Sequence, residues 1–218
     1  MKKLIILMAI VAISTTSFAQ FGIQAGATIA TIKEKNDFPG STSSSTSSKV
    51  GFTVGVIMDV PISNNFIFQP GLNFTQKGGK VTDKSGNETD EVKINLNYLE
   101  IPLNVIYKAA GGFFVGAGPG LGYAISGKFK ETISGATPPS LNGTTETKAK
   151  FSSTDNSDDI KPFELSGNIL AGYQLSNGCF IVVNYNLGFS NLSNYSDESI
   201  KNNYFGIRIG KKFGSAKK

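Results

Sequence analysis

The sequence predicts an all-β fold, an eight-stranded antiparallel up-and-down transmembrane β-barrel, on three observations. Apolar and polar residues alternate with a period of two in eight places. The connections between these places alternate between short and long. Each strand has one large apolar face and one face of small or polar residues with few charges, which is typical of strands that face lipid on one side and a crowded lumen on the other.

The first nineteen residues precede the predicted barrel. Lys2 and Lys3 are followed by ten apolar residues from Leu4 to Ile13 and then by a small-residue segment. This order is typical of a secretory signal peptide, and the apolar run is shorter than the roughly 20 residues that a membrane-spanning helix needs. We predict a signal peptide over residues 1–19 and one barrel domain over residues 20–218.

The order of strands and connections predicts the topology. The strands are expected at 21–31, 49–60, 66–77, 92–108, 113–128, 162–175, 179–189 and 202–213. The short turns are 61–65, 109–112 and 176–178, and the long polar loops are 32–48, 78–91, 129–161 and 190–201. In outer-membrane barrels the short turns face the periplasm. We therefore expect both termini in the periplasm and the long loops, above all 129–161, outside the cell.

The two faces of the strands decide between a membrane barrel and a soluble barrel or sandwich. The polar face carries few charges and many glycines, as "VGAGPGLGY" in the fifth strand shows. Small residues suit the interior of an eight-stranded barrel, which has little room. The apolar face is then expected to contact lipid, and the lumen is expected to contain Gln24, Asn73, Asn168, Asn184 and Tyr204.

Aromatic residues on the apolar face sort by strand end. Near the short turns these are Phe21, Phe66, Tyr107, Phe113 and Phe213. Near the long loops they are Phe52, Phe74, Phe163, Phe189 and Phe205. Two such girdles, one at each membrane interface, are characteristic of transmembrane barrels.

The stretch "NYLEIPLNVIYK", residues 97–108, contains a glutamate and a proline in an otherwise apolar strand. From Leu99 onward the apolar phase is odd, which directs Glu100 into the lumen, whereas before this point the phase is even. This change implies a bulge near Tyr98 or an end to the lipid contact. Arg208 of the last strand also points inward, and it is expected to pair with Glu100 directly or through Glu164. We predict a structural charge cluster of Glu100, Glu164 and Arg208.

Composition excludes several kinds of site. The chain has no histidine and a single cysteine, Cys179, which rules out imidazole-based metal sites and catalytic triads. Without Lys2 and Lys3 the chain is only mildly basic, so we expect no nucleic-acid partner. We predict no catalytic, cofactor or metal site. Calcium binding by Asp155, Asp158 and Asp159 is an alternative, although a solvated loop fits their spacing better.

The segments "FQPGLNFTQKGGK", "NYLEIPLNVIYK" and "YFGIRIGKKF", together with the glycine-rich fifth strand, resemble the PorT-like outer-membrane β-barrel family of Bacteroidetes. The resemblance covers essentially the whole mature chain. It implies an eight-stranded barrel in the outer membrane. The founding member is linked to type IX secretion, a role that we do not transfer to this chain.

The expected function is non-enzymatic. We predict a scaffold, adhesion protein or envelope-assembly partner that acts through long extracellular loops and is a monomer in contact with outer-membrane lipids and lipopolysaccharide. A protein partner in the envelope is also expected. One alternative is a narrow channel for ions or small solutes. Another is a lipid-modifying enzyme that would use Glu100 or Glu164.

Overall fold

The computed structural model describes residues 20–36, 45–86, 88–136, 138–154, 159–195 and 198–214. The predicted signal peptide and two aspartates of the longest loop, Asp155 and Asp158, lie outside these residues. No helix in the described part of the chain is long and apolar enough to cross a membrane.

Ten strands and two short 3₁₀ turns account for most of the described residues. The strands are β1 Gln20–Asn36, β2 Ser45–Ser47, β3 Lys49–Pro61, β4 Phe66–Ser85, β5 Glu88–Lys108, β6 Phe113–Ser134, β7 Gly143–Lys148, β8 Phe163–Gln174, β9 Cys179–Gly188 and β10 Glu198–Phe213. The 3₁₀ turns are Ala110–Gly112 and Pro139–Leu141.

Eight of these strands close into a ring of antiparallel pairs. The order is β1, β3, β4, β5, β6, β8, β9 and β10, and β10 pairs back to β1. The closed ring leaves no free edge within the barrel wall, as a strand structure in lipid requires. The predicted eight-stranded up-and-down barrel is therefore confirmed.

The barrel has an apolar exterior and a polar interior, the reverse of a soluble protein. Ile23, Ile169 and Ile209 are 55–65% exposed, whereas Asn73 and Asn184 on the opposite face are each 2% exposed. All five residues predicted for the lumen are buried: Gln24, Asn73, Asn168, Asn184 and Tyr204. Only a lipid surround makes the exterior favourable, because exposed apolar area of this extent would be costly in water.

Aromatic side chains contact each other across strands at both ends of the apolar belt. Near the short turns, the rings of Phe66 and Tyr107 are 5.3 Å apart and those of Phe113 and Tyr173 are 4.8 Å apart. At the opposite end, Phe52 lies 5.5 Å from Phe74. Apart from Tyr173, which the sequence analysis did not assign to a row, these residues belong to the two rows of aromatics expected at the membrane interfaces.

All four long loops of the sequence interpretation contain some strand, and two of them contain long paired segments. The segment 78–91 was expected to be a loop, but β4 and β5 continue through it as a paired hairpin, with Lys80 opposite Lys93. Likewise β6 runs on to Ser134, and β7 pairs with its end. Alternation of lysine, valine and threonine in these segments is compatible with strands, but their polarity favoured the loop interpretation.

The register of β5 shows what happens at Tyr98. The pairing of β5 with β6 shifts between Asn97 and Tyr98, so that Ile125 of β6 is the extra residue of a bulge. The alternation of β5 itself does not change phase: Leu96 and Tyr98 are buried on the same side as Glu100. The bulge expected near Tyr98 is therefore present, with its extra residue in β6, and the even apolar residues of β5 point inward beyond it.

Candidate functional site

The most strongly charged buried cluster centres on Lys77 of β4. Its ammonium lies 2.8 Å from Glu100 of β5 and 2.5 Å from Glu164 of β8. The side chains are 0%, 6% and 1% exposed, respectively. The inward phase of β4 and β5 brings the first two together on adjacent strands, and Glu164 reaches them across the lumen.

Neighbouring polar side chains complete the hydrogen bonding of this cluster. The Tyr204 hydroxyl donates to Glu100 Oε2 over 3.1 Å, and Asn202 Nδ2 lies 3.4 Å from both Glu164 Oε2 and the Tyr98 hydroxyl oxygen. The Lys77 ammonium also lies 4.9 Å and 5.2 Å from the ring centroids of Tyr98 and Tyr204. Such cation–π contacts favour a desolvated cation. Every charge of the trio therefore has a partner, as burial requires.

The structure places Arg208 differently from the sequence interpretation. It is buried and points inward as expected, but among the described residues it forms no salt bridge with Glu100 or Glu164. Its Nε is buried without a hydrogen-bond partner. Lys77, on the strand next to that of Glu100, takes the position expected for the guanidinium. The β10 side chain that reaches Glu100 across the lumen is Tyr204.

A second buried ion pair lies near the short-turn end. Lys212 of β10 forms a salt bridge with Asp59 of β3, and Gln69 Nε2 donates to Asp59 Oδ1 over 2.7 Å. The Lys212 ammonium lies 5.7 Å and 5.6 Å from the rings of Phe114 and Phe180. Together the buried charged residues are three cations, Lys77, Arg208 and Lys212, and three anions, Asp59, Glu100 and Glu164. The charges of these six buried residues thus sum to zero.

An apolar layer and a layer of amides fill the barrel around these charges. The apolar layer consists of Ile57, Ile67, Ile106, Phe114, Leu170, Phe180 and Val182. In the amide layer Asn184 Nδ2 donates to Asn168 Oδ1, and Asn168 Nδ2 donates to Asn104 Oδ1, each over 3.0 Å.

Glycines on the inner wall make room for this packing. A Cβ at Gly172 would lie 2.3 Å from the Phe114 ring, and one at Gly206 would lie 2.4 Å from Asn184 Oδ1. Two small cavities border Arg208, each of about 10 Å³, which is room for a single water. The lumen is therefore closely packed at the level of Arg208.

The mouth at the long-loop end is covered by the strap, which we define as residues 149–154 and 159–162. Phe151 and Ile160 of the strap form an isolated bridge and pack on Leu96, Tyr98 and Ala124. Because the Tyr98 ring covers Lys77, the strap and the charge cluster are stacked on one another.

A family model described as "Outer membrane protein beta-barrel domain" matches residues 14–214. This match extends over nearly the whole chain and includes every strand of the ring. The chain belongs to the outer membrane protein beta-barrel domain family. Its place is accordingly the outer membrane, which agrees with the apolar exterior of the barrel.

Solved structures of small outer-membrane barrels are similar to this family member in outline. The attachment invasion locus protein Ail of Yersinia pestis is 13% identical with a TM-score of 0.48, and the match covers 89% of this chain and 99% of Ail. Neisserial surface protein A has the same identity, TM-score and coverage. OprG of Pseudomonas aeruginosa is 15% identical with a TM-score of 0.43, covering 90% and 97%. No curated protein sequence matches the chain.

The residues that sequence reasoning missed in this outer-membrane barrel are Lys77, Asp59 and Lys212. Lys77 and Asp59 lie on the polar face identified from alternation, and Lys212 shares the phase of Arg208. Their inward direction could therefore be predicted from their odd or even positions in the strands. Their contact partners could not be predicted, because pairing across a lumen depends on the stagger between strands that are distant in sequence.

The remaining predicted candidate, the aspartate group of the longest loop, is described only at Asp159. Its main-chain oxygen accepts a hydrogen bond of 2.7 Å from Asn194 Nδ2, which ties the strap to the loop before β10. Among the described residues, no three His, Cys, Asp or Glu side chains converge as metal ligands would.

Proposed function

We propose that this outer-membrane barrel is a non-enzymatic, non-conducting scaffold, adhesion protein or envelope-assembly partner that acts through its outer loops. The observation that carries the proposal is the contrast between a filled lumen and a wall that extends beyond the belt. β4, β5 and β6 are 20, 21 and 22 residues long, about twice the length that crosses a bilayer. Binding surface is thus available outside the membrane, whereas the interior is occupied by the protein's own side chains.

Burial of the charge cluster supports a structural role for Glu100 and Glu164 over a catalytic one. Both carboxylates contact Lys77 and are almost fully buried, so a lipid substrate could not reach them without displacing the strap. A paired and desolvated carboxylate is a poor general base for an external substrate. The channel alternative has no supporting observation among the described residues, since the apolar layer lies across the lumen.

The finer assignments are part of the same proposal. We place both termini in the periplasm, with residues 1–19 as a signal peptide, and we assign the chain to the PorT-like branch found in Bacteroidetes. The motifs in β4, β5 and β10 support this branch. Outer-membrane lipids and an envelope protein are the proposed partners of a monomeric barrel.

A photo-cross-linking residue at Thr145 of β7, whose residues are exposed, tests the proposal in intact cells. The expected result is a discrete protein adduct of defined mass, together with cleavage within residues 129–161 by protease added outside. The matched control carries the cross-linker at Ser176, in the short turn at the other end of the barrel. Protein adducts at Ser176 with none at Thr145, or cleavage confined to the Ser176 turn, would overturn the proposed orientation and role.

A further inference from the structure

The extended parts of β4 to β7 form one sheet beyond the apolar belt. We call this the projecting sheet and define it as residues 78–85, 88–97, 126–134 and 143–148. Its strands are paired without a break in the order β4, β5, β6 and β7. Because it continues the barrel wall, it has one face toward the strap and another toward the surrounding membrane surface.

The register identifies which side chains belong to each face. Ile94 packs inward against the Leu96 and Tyr98 cluster, which identifies the even positions of β5 as the inner face. Leu99 lies on the lipid-exposed face of β5, and because side chains alternate along the strand, Lys93 shares that outward face. Cross-strand partners of Lys93 lie on the same face as well.

The outward face is rich in lysine. We call it the lysine face and define it by Lys80, Lys93, Lys128, Lys130 and Lys148, with Glu91 and Glu146 beside them. Lys93 lies directly between Lys80 and Lys130 on the neighbouring strands, and Lys128 is opposite Lys148. Like charges in direct cross-strand positions destabilise a sheet unless an anion lies among them.

The two glutamates neutralise only part of this charge. Glu91 forms salt bridges with Lys80 and Lys93, and Glu146 with Lys128. Lys130 and Lys148 are exposed and form no salt bridge with any described residue. Five lysines against two glutamates leave a net charge of +3 on one small sheet face.

The height of the lysines above the belt points to a membrane ligand. Leu99 pairs with Phe74 and Tyr123 in an outward apolar row, and beyond this row the bulge residue Ile125 of β6 is also apolar and exposed. Along β5 from Leu99, the cross-strand row that contains Lys128 is four residues away and the row that contains Lys93 is six residues away. These separations are about 14 and 20 Å of strand at roughly 3.4 Å per residue. Because the strands are tilted by about 40°, these distances correspond to a height of roughly 10 to 15 Å above the hydrocarbon, measured along the membrane normal. Lysine stems can extend back toward the belt, into the headgroup layer.

Resting on the orientation and lipid contact proposed above, we propose that the lysine face binds the phosphate groups of the lipopolysaccharide in the outer leaflet. The ligand class is a phosphorylated glycolipid, and charge complementarity together with the position beside the lipid-facing wall supports this occupant. A row of polar side chains lies between the apolar belt and the lysines: Gln76, Asn97 and Ser126, joined by hydrogen bonds. These side chains can hydrogen-bond to sugar hydroxyls. Thr145, the cross-linking position proposed above, alternates with Glu146 and therefore lies on the opposite face of this sheet.

The test is a binding titration of the full barrel, refolded in zwitterionic detergent, with bis-phosphorylated lipid A and with the same lipid A lacking phosphates. The native chain is expected to bind the phosphorylated form more tightly. Lys93→Gln with Lys130→Gln should weaken that binding by about 10- to 30-fold, because each lysine near an anionic surface contributes roughly a factor of five. Binding of the dephosphorylated form should not change.

The matched control removes two lysines at the opposite end, Lys108→Gln with Lys211→Gln, and should bind phosphorylated lipid A as the native chain does. Equal weakening in both double variants would overturn the site, since it would show a general charge effect. Equal affinity of the native chain for both lipids would overturn the phosphate contact. Displacement by millimolar inorganic phosphate would assign the face to soluble anions and overturn the lipid assignment.

Discussion

The Lys77 ammonium lies 2.8 Å from Glu100 Oε1 inside the barrel, on strands that are neighbours in the wall. Neither side chain reaches the surface, and Glu164 closes the trio from β8. Glu100 is therefore compatible with a transmembrane strand because its charge faces a cation rather than lipid.

Replacing the central cation should strongly destabilise the barrel. Lys77→Met leaves two buried carboxylates close together without a cation, and we expect a loss of about 3 to 5 kcal/mol in the free energy of unfolding. The measurement is urea unfolding of the barrel refolded into lipid vesicles. Lys80→Met, which removes a partly exposed ion pair with Glu91, is the control and should cost no more than about 1 kcal/mol.

A triple variant separates the ion pairing from the packing of the lysine stem. Lys77→Met with Glu100→Gln and Glu164→Gln removes all three charges, so it should be more stable than Lys77→Met alone. A triple variant that is less stable than the single one would show that the carboxylates have other partners.

Arg208 should couple more weakly to Glu100 than Lys77 does. Residues joined by a direct salt bridge show coupling energies of roughly 0.5 to 3 kcal/mol. For residues without a shared contact, the effects of the two substitutions on the free energy of unfolding are additive within about 0.5 kcal/mol. Double-mutant cycles with Glu100→Gln, using Lys77→Met in one and Arg208→Met in the other, measure both energies. A larger coupling for Arg208 would restore the pair that the sequence suggested.

The outward face of β9 should not accept charge. Val183 is outward and pairs with Ile207 in the apolar belt, and Val183→Arg is expected to cost about 2 to 4 kcal/mol if it lies near mid-depth. Val183→Leu keeps the face apolar and should be nearly neutral. Folding yield and unfolding free energy in vesicles test this pair. An arginine that is tolerated as well as the leucine would mean that this face lies outside hydrocarbon.

Acid should loosen the projecting sheet at Glu91. Hydrogen bonds from Lys80 and then Lys93 hold the pKa of the Glu91 carboxyl below its ordinary value. Because the folded-state pKa is depressed, this stabilisation is present above the pKa of the unfolded chain and is lost as pH falls through the lower folded-state pKa. NMR titration of the Glu91 carboxyl checks the direction. In Lys80→Gln with Lys93→Gln the pKa should rise toward its ordinary value, and an unchanged titration would contradict the assignment.

Much of the barrel could be predicted because alternation in a lipid-facing strand is a local property. The parity of Ile23 against Gln24, or of Val183 against Asn184, follows from the sequence and the two-residue repeat of a strand. The closing of the sheet into a barrel was predicted from the even number of strands together with the alternation of short and long connections. The apolar layer in the lumen was not predicted. Phe114 and Phe180 occupy inward positions, but large apolar side chains are the type expected on the lipid-facing side.

The charge cluster could be predicted only in part. The inward direction of Glu100, Glu164 and Arg208 could be predicted from alternation along their strands, and all three side chains are buried in the lumen. The identity of the contacting cation depended on the stagger of β4 against β5 and on the reach of Lys77, which no local pattern determines. The projecting hairpin of β4 and β5 was missed because polar strands that leave the membrane lack the apolar alternation used to find them.

The most direct test of a closed lumen is conductance in planar lipid bilayers. The control is Phe114→Gly with Phe180→Gly, which removes two large rings from the apolar layer and should show openings if the variant inserts normally. For the native barrel we expect a flat baseline across both polarities while cross-linking or gel mobility shows that folded protein is present. Stable, discrete current steps from the native barrel would contradict the closed lumen and the function proposed from it.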